Sequence, residues 1–215
     1  MTNNNQQAFF ALVRAGLWEK EARLLPYGEV DYAEVMRLAQ EQAVVGLVAA
    51  GLEHVTDVKV PQVWALQFAG QAIQIEQRDN AMNSFIAVTV DEMRKAGIYT
   101  LLVKGQGIAQ WRTSGDVDLL LSEDNYEEAK NLLLPLASSY DVEEKSGKHI
   151  CLALDGWSVE LHGTQHSELS NRIDRVIDEV QNNVFCGGNV RLWENGGTIV
   201  FLPAPDNDVI FIFTH

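Results

Sequence analysis

LLVKGQGIAQWRTSGDVDLLL, residues 101–121, decides how this chain is read. Residues 98–103 form a short β-rich run, and Lys104-Gly105-Gln106-Gly107 follows at once. Residues 108–111 allow no more than a turn or two of helix. Residues 116–121 read as a second strand, with a continuous apolar end of the kind buried on both faces. Side chains on a strand alternate with period two, so Asp116 and Asp118 share one face. Two carboxylates aimed into one pocket are hard oxygen ligands for Mg²⁺, and they repel each other without a cation.

The triplet by itself says little. With 30 acidic residues in 215, chance supplies about four acidic-x-acidic triplets. Its surroundings carry more weight. Val117, Leu119, Leu120 and Leu121 make this a core strand, where unpaired carboxylates are costly to bury. Upstream, Gly105 and Gly107 let backbone N–H groups, including that of Gln106, approach an anion closely. Lys104 can meet a phosphate as a point charge and Arg112 can do so bidentately. Downstream, Ser158-Val159-Glu160-Leu161-His162 places a third carboxylate, Glu160, on another apolar strand. Three carboxylates beside a phosphate-cradling loop are what two-metal phosphoryl transfer requires.

The rest of the chain frames this segment. Residues 8–18 are apolar-rich and helical in character, and Asp31 can cap a helix carrying Val35, Leu38 and Ala39. A second apolar block covers 44–52. Pro61 suits the first turn of a long helix whose apolar stripe runs to Arg94-Lys95, with Gly97 as its stop. This helical region shows no chemistry; its stripe reads as core. After residue 121, 122–137 read as an amphipathic helix capped by Ser122. Strands are predicted at 140–144, 149–154 and 157–161, with Asp155-Gly156 as a hairpin turn. A helix over 171–181 precedes strands at 184–185, 190–193 and 198–202, divided by Gly187-Gly188 and Gly196-Gly197. Cys186-Gly187-Gly188-Asn189 accordingly reads as a hairpin turn. Residues 205–215 begin another helix, which suggests a truncated C-terminal helical part. The expected organisation is a helical region over 1–97, an α/β domain over 98–202, and a C-terminal helical segment over 203–215.

Composition narrows the partners. Apolar residues make up 47% of the chain and its formal charge is −14, so a core can form while long nucleic acid is a poor default partner. Cys151 and Cys186 cannot build a disulfide framework and read as reduced thiols. The polar N-terminus has no signal-peptide pattern, and the longest apolar run is about half of the ~20 residues a membrane span needs. A soluble, cytoplasmic protein is expected.

Residues 101–121 resemble the core of the polymerase-β-type nucleotidyltransferase superfamily, in which a Gly-Gly or Gly-Ser pair after a strand precedes an Asp-hydrophobic-Asp/Glu strand. Within it the chain is similar to an uncharacterised bacterial nucleotidyltransferase group. That group has a Lys-Gly loop (here Lys104-Gly105), an Arg (Arg112) before a Gly-Asp-hydrophobic-Asp strand (residues 115–118), and a later Glu-Leu-His (Glu160-Leu161-His162). The resemblance implies an α+β fold: a helical N-terminal region, then a nucleotidyltransferase-type mixed β-sheet flanked by helices. It also implies that Asp116 and Asp118 bind two Mg²⁺ ions, or Mn²⁺, that hold the triphosphate of an NTP, with ATP the first candidate. Glu160 becomes the third acid and metal ligand, aligning or deprotonating the acceptor hydroxyl. Lys104, Gly105, Gln106, Arg112 and His162 become nucleotide-binding residues. Gly105 stands where the superfamily commonly has a phosphate-binding serine, which keeps open a nucleotide sensor or interaction module without turnover. A toxin-like transferase acting on tRNA is a further alternative, against which the net charge argues.

Other signals carry less. His162 and His166 have the outer spacing of a zincin helix but lack its glutamate, and Gly163 weakens a helix there. Lys148 and His149 could face the same pocket, although a packed rim histidine is the commoner role. The acceptor is not specified, since many hydroxyls and phosphates suit the same metals.

Overall fold

The computed structural model describes residues 2–103, 115–143, 149–163 and 170–213, and they separate into two compact units meeting in sequence between Asn80 and Ala81. The first unit is helical: α1 (Thr2–Trp18), α2 (Tyr32–Glu41), α3 (Val45–Glu53) and the part of α4 (Gln62–Lys95) up to Asn80. Asp31 caps α2 as its sequence suggests, accepting hydrogen bonds from the Ala33 and Glu34 amides. Pro61 lies just before α4, where its carbonyl accepts from the Trp64 and Ala65 amides. Ala8, Leu12, Leu24, Val35, Val48 and Phe68 form the buried core.

α1 and α3 pack almost backbone to backbone. A Cβ built on Gly16 would lie 2.0 Å from the Leu47 carbonyl oxygen, and one on Gly51 would lie 2.1 Å from that of Leu12. Only glycine permits this approach.

The second unit is built around a five-stranded sheet. Its strands are β1 (Thr100–Val103), β2 (Asp116–Leu121), β3 (Ser139–Tyr140), β4 (His149–Leu154) and β5 (Trp157–His162), in the order β1-β2-β5-β4-β3. β2 and β5 are parallel and the other pairs antiparallel. The expected α+β class with a mixed sheet and flanking helices is what forms. Strand alternation divides the apolar residues between two faces. Leu102, Val117, Leu119, Leu121, Val159 and Leu161 share a core with the last turns of α4 and with Tyr126, Ala129 and Leu133 of α5 (Glu123–Leu133). Leu101, Val103 and Leu120 on the other face meet Val180 and Val184 of α6 (Asn171–Gly187). A two-stranded ribbon, β6 (Val190–Asn195) and β7 (Thr198–Pro203), and α7 (Pro205–Phe213) complete the described chain.

Four local expectations need correction. Residues 184–185 are not a strand: α6 runs through them to Gly187, because Ile177, Val180 and Val184 continue a helical apolar stripe. Cys186-Gly187-Gly188-Asn189 is therefore no hairpin turn but the end of that helix, with Gly188 in the left-handed conformation at φ 66°. Of the strand predicted over 140–144, only Tyr140 is in a strand (β3): the Asp141 amide still bonds the Cys151 carbonyl, 142 and 143 belong to no strand, and 144 lies outside the described residues. Ser122 does occupy the position before α5, but its side chain makes no capping bond.

Candidate active site

The site is assembled by register. Parallel pairing places Asp116 beside Ser158, Asp118 beside Glu160 and Leu120 beside His162. The tight turn at Asp155-Gly156, with both residues at positive φ, then returns β4 against β5. That pairing puts Cys151 opposite Glu160 and His149 opposite His162. Directly opposed residues and every second residue along a strand share a face. Asp116, Asp118, Glu160, His162 and His149 therefore project from the same side of the sheet as Leu120.

Burial differs across the group. Asp116, at the first position of β2, is exposed, whereas Asp118 and His162 retain 6% and 5% of their surface. His162 Nε2 lies 3.0 Å from Asp118 Oδ1 and 3.3 Å from Glu160 Oε2. One imidazole thus spans both acids, offsetting part of the cost of burying them side by side. The His162 hydrogen bond holds the Glu160 carboxyl below its usual range, against burial and the neighbouring Asp118 charge, which push it up. Because the folded value is lowered, this contribution to stability is present above the ordinary carboxylate range and fades as pH falls through the folded value. Glu160 is consequently a carboxylate at neutral pH, as a cation ligand must be.

His149 enters the same cluster. Its ring stacks on His162 with centroids 4.7 Å apart and planes 19° apart, and its Nε2 is 3.5 Å from Glu160 Oε2. The sequence held a usable signal for it: the Asp155-Gly156 turn fixes a register in which 149 must face 162. Lys104, Gly105, Gln106 and Arg112, the expected phosphate-binding residues, lie outside the described residues, as does Lys148. Val103, which precedes Lys104 in sequence, is in register with Asp118.

One residue at the site escaped the sequence reading. Buried Gln181 on α6 donates from Nε2 to the carbonyl oxygens of Leu121, at 3.3 Å, and Gly163, at 3.0 Å. It ties the C-terminal ends of β2 and β5 to one helix, just beyond the acidic cluster. Gln181→Leu leaves both carbonyls without this donor, so it is expected to lower stability by about 1–3 kcal/mol. Denaturant unfolding would measure this, and an unchanged midpoint would show that the tie contributes nothing.

The second unit thus presents paired acids on adjacent parallel strands of a mixed sheet. The family follows from comparison: a family model described as uncharacterised nucleotidyltransferase matches residues 28–215, and the chain belongs to that family. Among solved structures, a candidate nucleotidyltransferase from Thermotoga maritima is similar at 10% identity, with a TM-score of 0.44, over 60% of this chain and 81% of that one. No curated protein matches the chain. Among the described residues, no helix is long and apolar enough to cross a membrane.

Proposed function

We propose that this chain is a divalent-cation-dependent nucleotidyltransferase that moves a nucleoside monophosphate from an NTP, ATP foremost, to a hydroxyl or phosphate acceptor. The observation that carries the reading is the Asp118–Glu160 register on adjacent parallel strands, with His162 bonded to both acids. Two carboxylates on adjacent strands suit a cation: Glu160 is ionised, and the Asp118 charge beside it works against that ionisation. Mg²⁺, or Mn²⁺, bound there would neutralise charge on the triphosphate and polarise the reacting phosphoryl group.

The side chains divide the work. Asp116, at the exposed start of β2, and Asp118, deeper on the same face, hold the cations. Glu160 aligns the acceptor hydroxyl and is suited to take its proton. His162 fixes the orientation of both inner carboxylates. Lys104 and Arg112 supply positive charge to the phosphates, with backbone N–H groups around Gly105 and Gln106 as further donors. The transfer-competent domain in this reading is 98–202. Calorimetry of Mg²⁺-dependent NTP binding, before and after Asp116→Ala combined with Asp118→Ala, tests the assignment. The double variant is expected to lose measurable binding; unchanged affinity would sink it.

Gly105 favours a second reading, a module that binds nucleotide without transferring it, because a hydroxyl contact to phosphate is missing. Incubation with labelled NTPs and a panel of hydroxyl and phosphate acceptors separates the two. An adduct that forms with the parent protein and not with Asp118→Asn excludes the binding-only alternative.

A further inference from the structure

Oxygen ligands alone do not describe this face of the sheet. His149, Glu160 and His162 each offer one ligand atom, and these atoms all lie within 4.8 Å of one another. Glu160 Oε2 is 3.3 Å from His162 Nε2 and 3.5 Å from His149 Nε2. Tetrahedral coordination with bonds of about 2.0–2.1 Å separates neighbouring ligand atoms by about 3.3 Å. Both distances to Glu160 match the edge of such a polyhedron, and the stacked rings of His149 and His162, 19° apart, need to turn to aim both nitrogens at one ion. His149 Nε2 adds a further sign: although 3.5 Å from Glu160 Oε2 and on a side chain that is 32% exposed, the atom itself is shielded from solvent and makes no hydrogen bond. A buried ring nitrogen left in that state is costly unless something binds it.

We propose that His149, Glu160 and His162 form a site for a first-row transition-metal dication, Zn²⁺ foremost, rather than for Mg²⁺. Two imidazole nitrogens and one carboxylate are borderline ligands that favour such an ion, whereas Mg²⁺ prefers an all-oxygen octahedron. Asp118 Oδ1, 3.0 Å from His162 Nε2, is the nearest candidate for a further ligand. Pairing across the hairpin is what makes the site: the Asp155-Gly156 turn sets His149 against His162, and the parallel β2 brings Asp118 alongside. The His162 and His166 pair that the sequence suggested is not needed for it, and His166 lies outside the described residues. The proposal rests on the same Asp118, Glu160 and His162 cluster as the transferase reading, but His149 belongs to this site alone and Asp116 to the other alone, so variants at those two positions let either fail by itself.

The test uses the whole chain, stripped with a chelator and free of nucleotide. Calorimetric titration with Zn²⁺ is expected to show one tight equivalent, with Mg²⁺ at least about 100-fold weaker at the same site. His149→Ala and the milder His149→Gln should each weaken Zn²⁺ at least about tenfold, while Mg²⁺-dependent NTP binding persists. Asp116→Ala should show the reverse pattern, keeping Zn²⁺ and losing NTP. Unchanged Zn²⁺ affinity in both His149 variants would overturn the site, because the ion would then be held elsewhere. X-ray absorption on the Zn²⁺-loaded parent protein needs no variant: fewer than two imidazole nitrogens around the metal would overturn it equally.

Discussion

Asp118→Asn is expected to reduce nucleotidyl transfer at least about 100-fold, the scale seen when a group stabilising transition-state charge is removed. Asparagine keeps the shape and one oxygen, so it can still accept the His162 hydrogen bond now 3.0 Å long. What it loses is the negative charge that a cation requires. The effect should therefore appear in cation-dependent binding and turnover rather than in the fold. Far-UV circular dichroism should match the parent, while label transfer from NTP falls to background. A variant that retains parental transfer would remove Asp118 from the cation site and leave the acidic strand without its proposed role.

Gly51→Ala should be the most damaging single methyl in the helical unit. Its new Cβ would sit 2.1 Å from the Leu12 carbonyl oxygen and 2.8 Å from the carbonyl carbon, both backbone atoms that cannot swing aside. α1 and α3 would have to part, opening the core around Leu12 and Val48. Overpacking of this severity costs about 3 kcal/mol. Gly16→Ala, facing the Leu47 carbonyl at 2.0 Å, should behave alike. Gly70 provides the control. It lies inside α4 with nothing within 4 Å of its would-be Cβ, so Gly70→Ala should stabilise by about 0.5–1 kcal/mol. Thermal unfolding of the three variants decides the matter. Equal melting temperatures for Gly51→Ala and Gly70→Ala would mean that α1 and α3 do not approach so closely.

Legibility in the sequence tracked the range over which each signal acts. β2, β4 and β5 were readable because apolar runs bounded by Asp155-Gly156 and by polar segments are local patterns. α6 was cut short because Val184 and Phe185 are good strand formers in a two-residue window. Only the stripe through Ile177, Val180 and Val184 overrides them. The 140–144 run misled in the opposite sense: its residues suit a strand, but strand formation needs a neighbour, and the pairing with β4 stops after the single Asp141–Cys151 backbone bond.

By itself, the sequence determined the mixed α+β class, the core strand bearing Asp116 and Asp118, and the separate strand bearing Glu160 and His162. It could do so because alternation along one strand is a property of the chain alone. Which strands become neighbours is not. The parallel pairing of β2 with β5 set Asp118 beside Glu160, and the β4–β5 hairpin turned His149 from a rim candidate into a member of the cluster. Gly16, Gly51 and Gln181 likewise acquired a role only through what lies opposite them: a carbonyl a methyl would strike, or a carbonyl that needs a donor. Contacts between residues distant in sequence depend on packing that no local pattern encodes, and the proposed chemistry of this protein resides in those contacts.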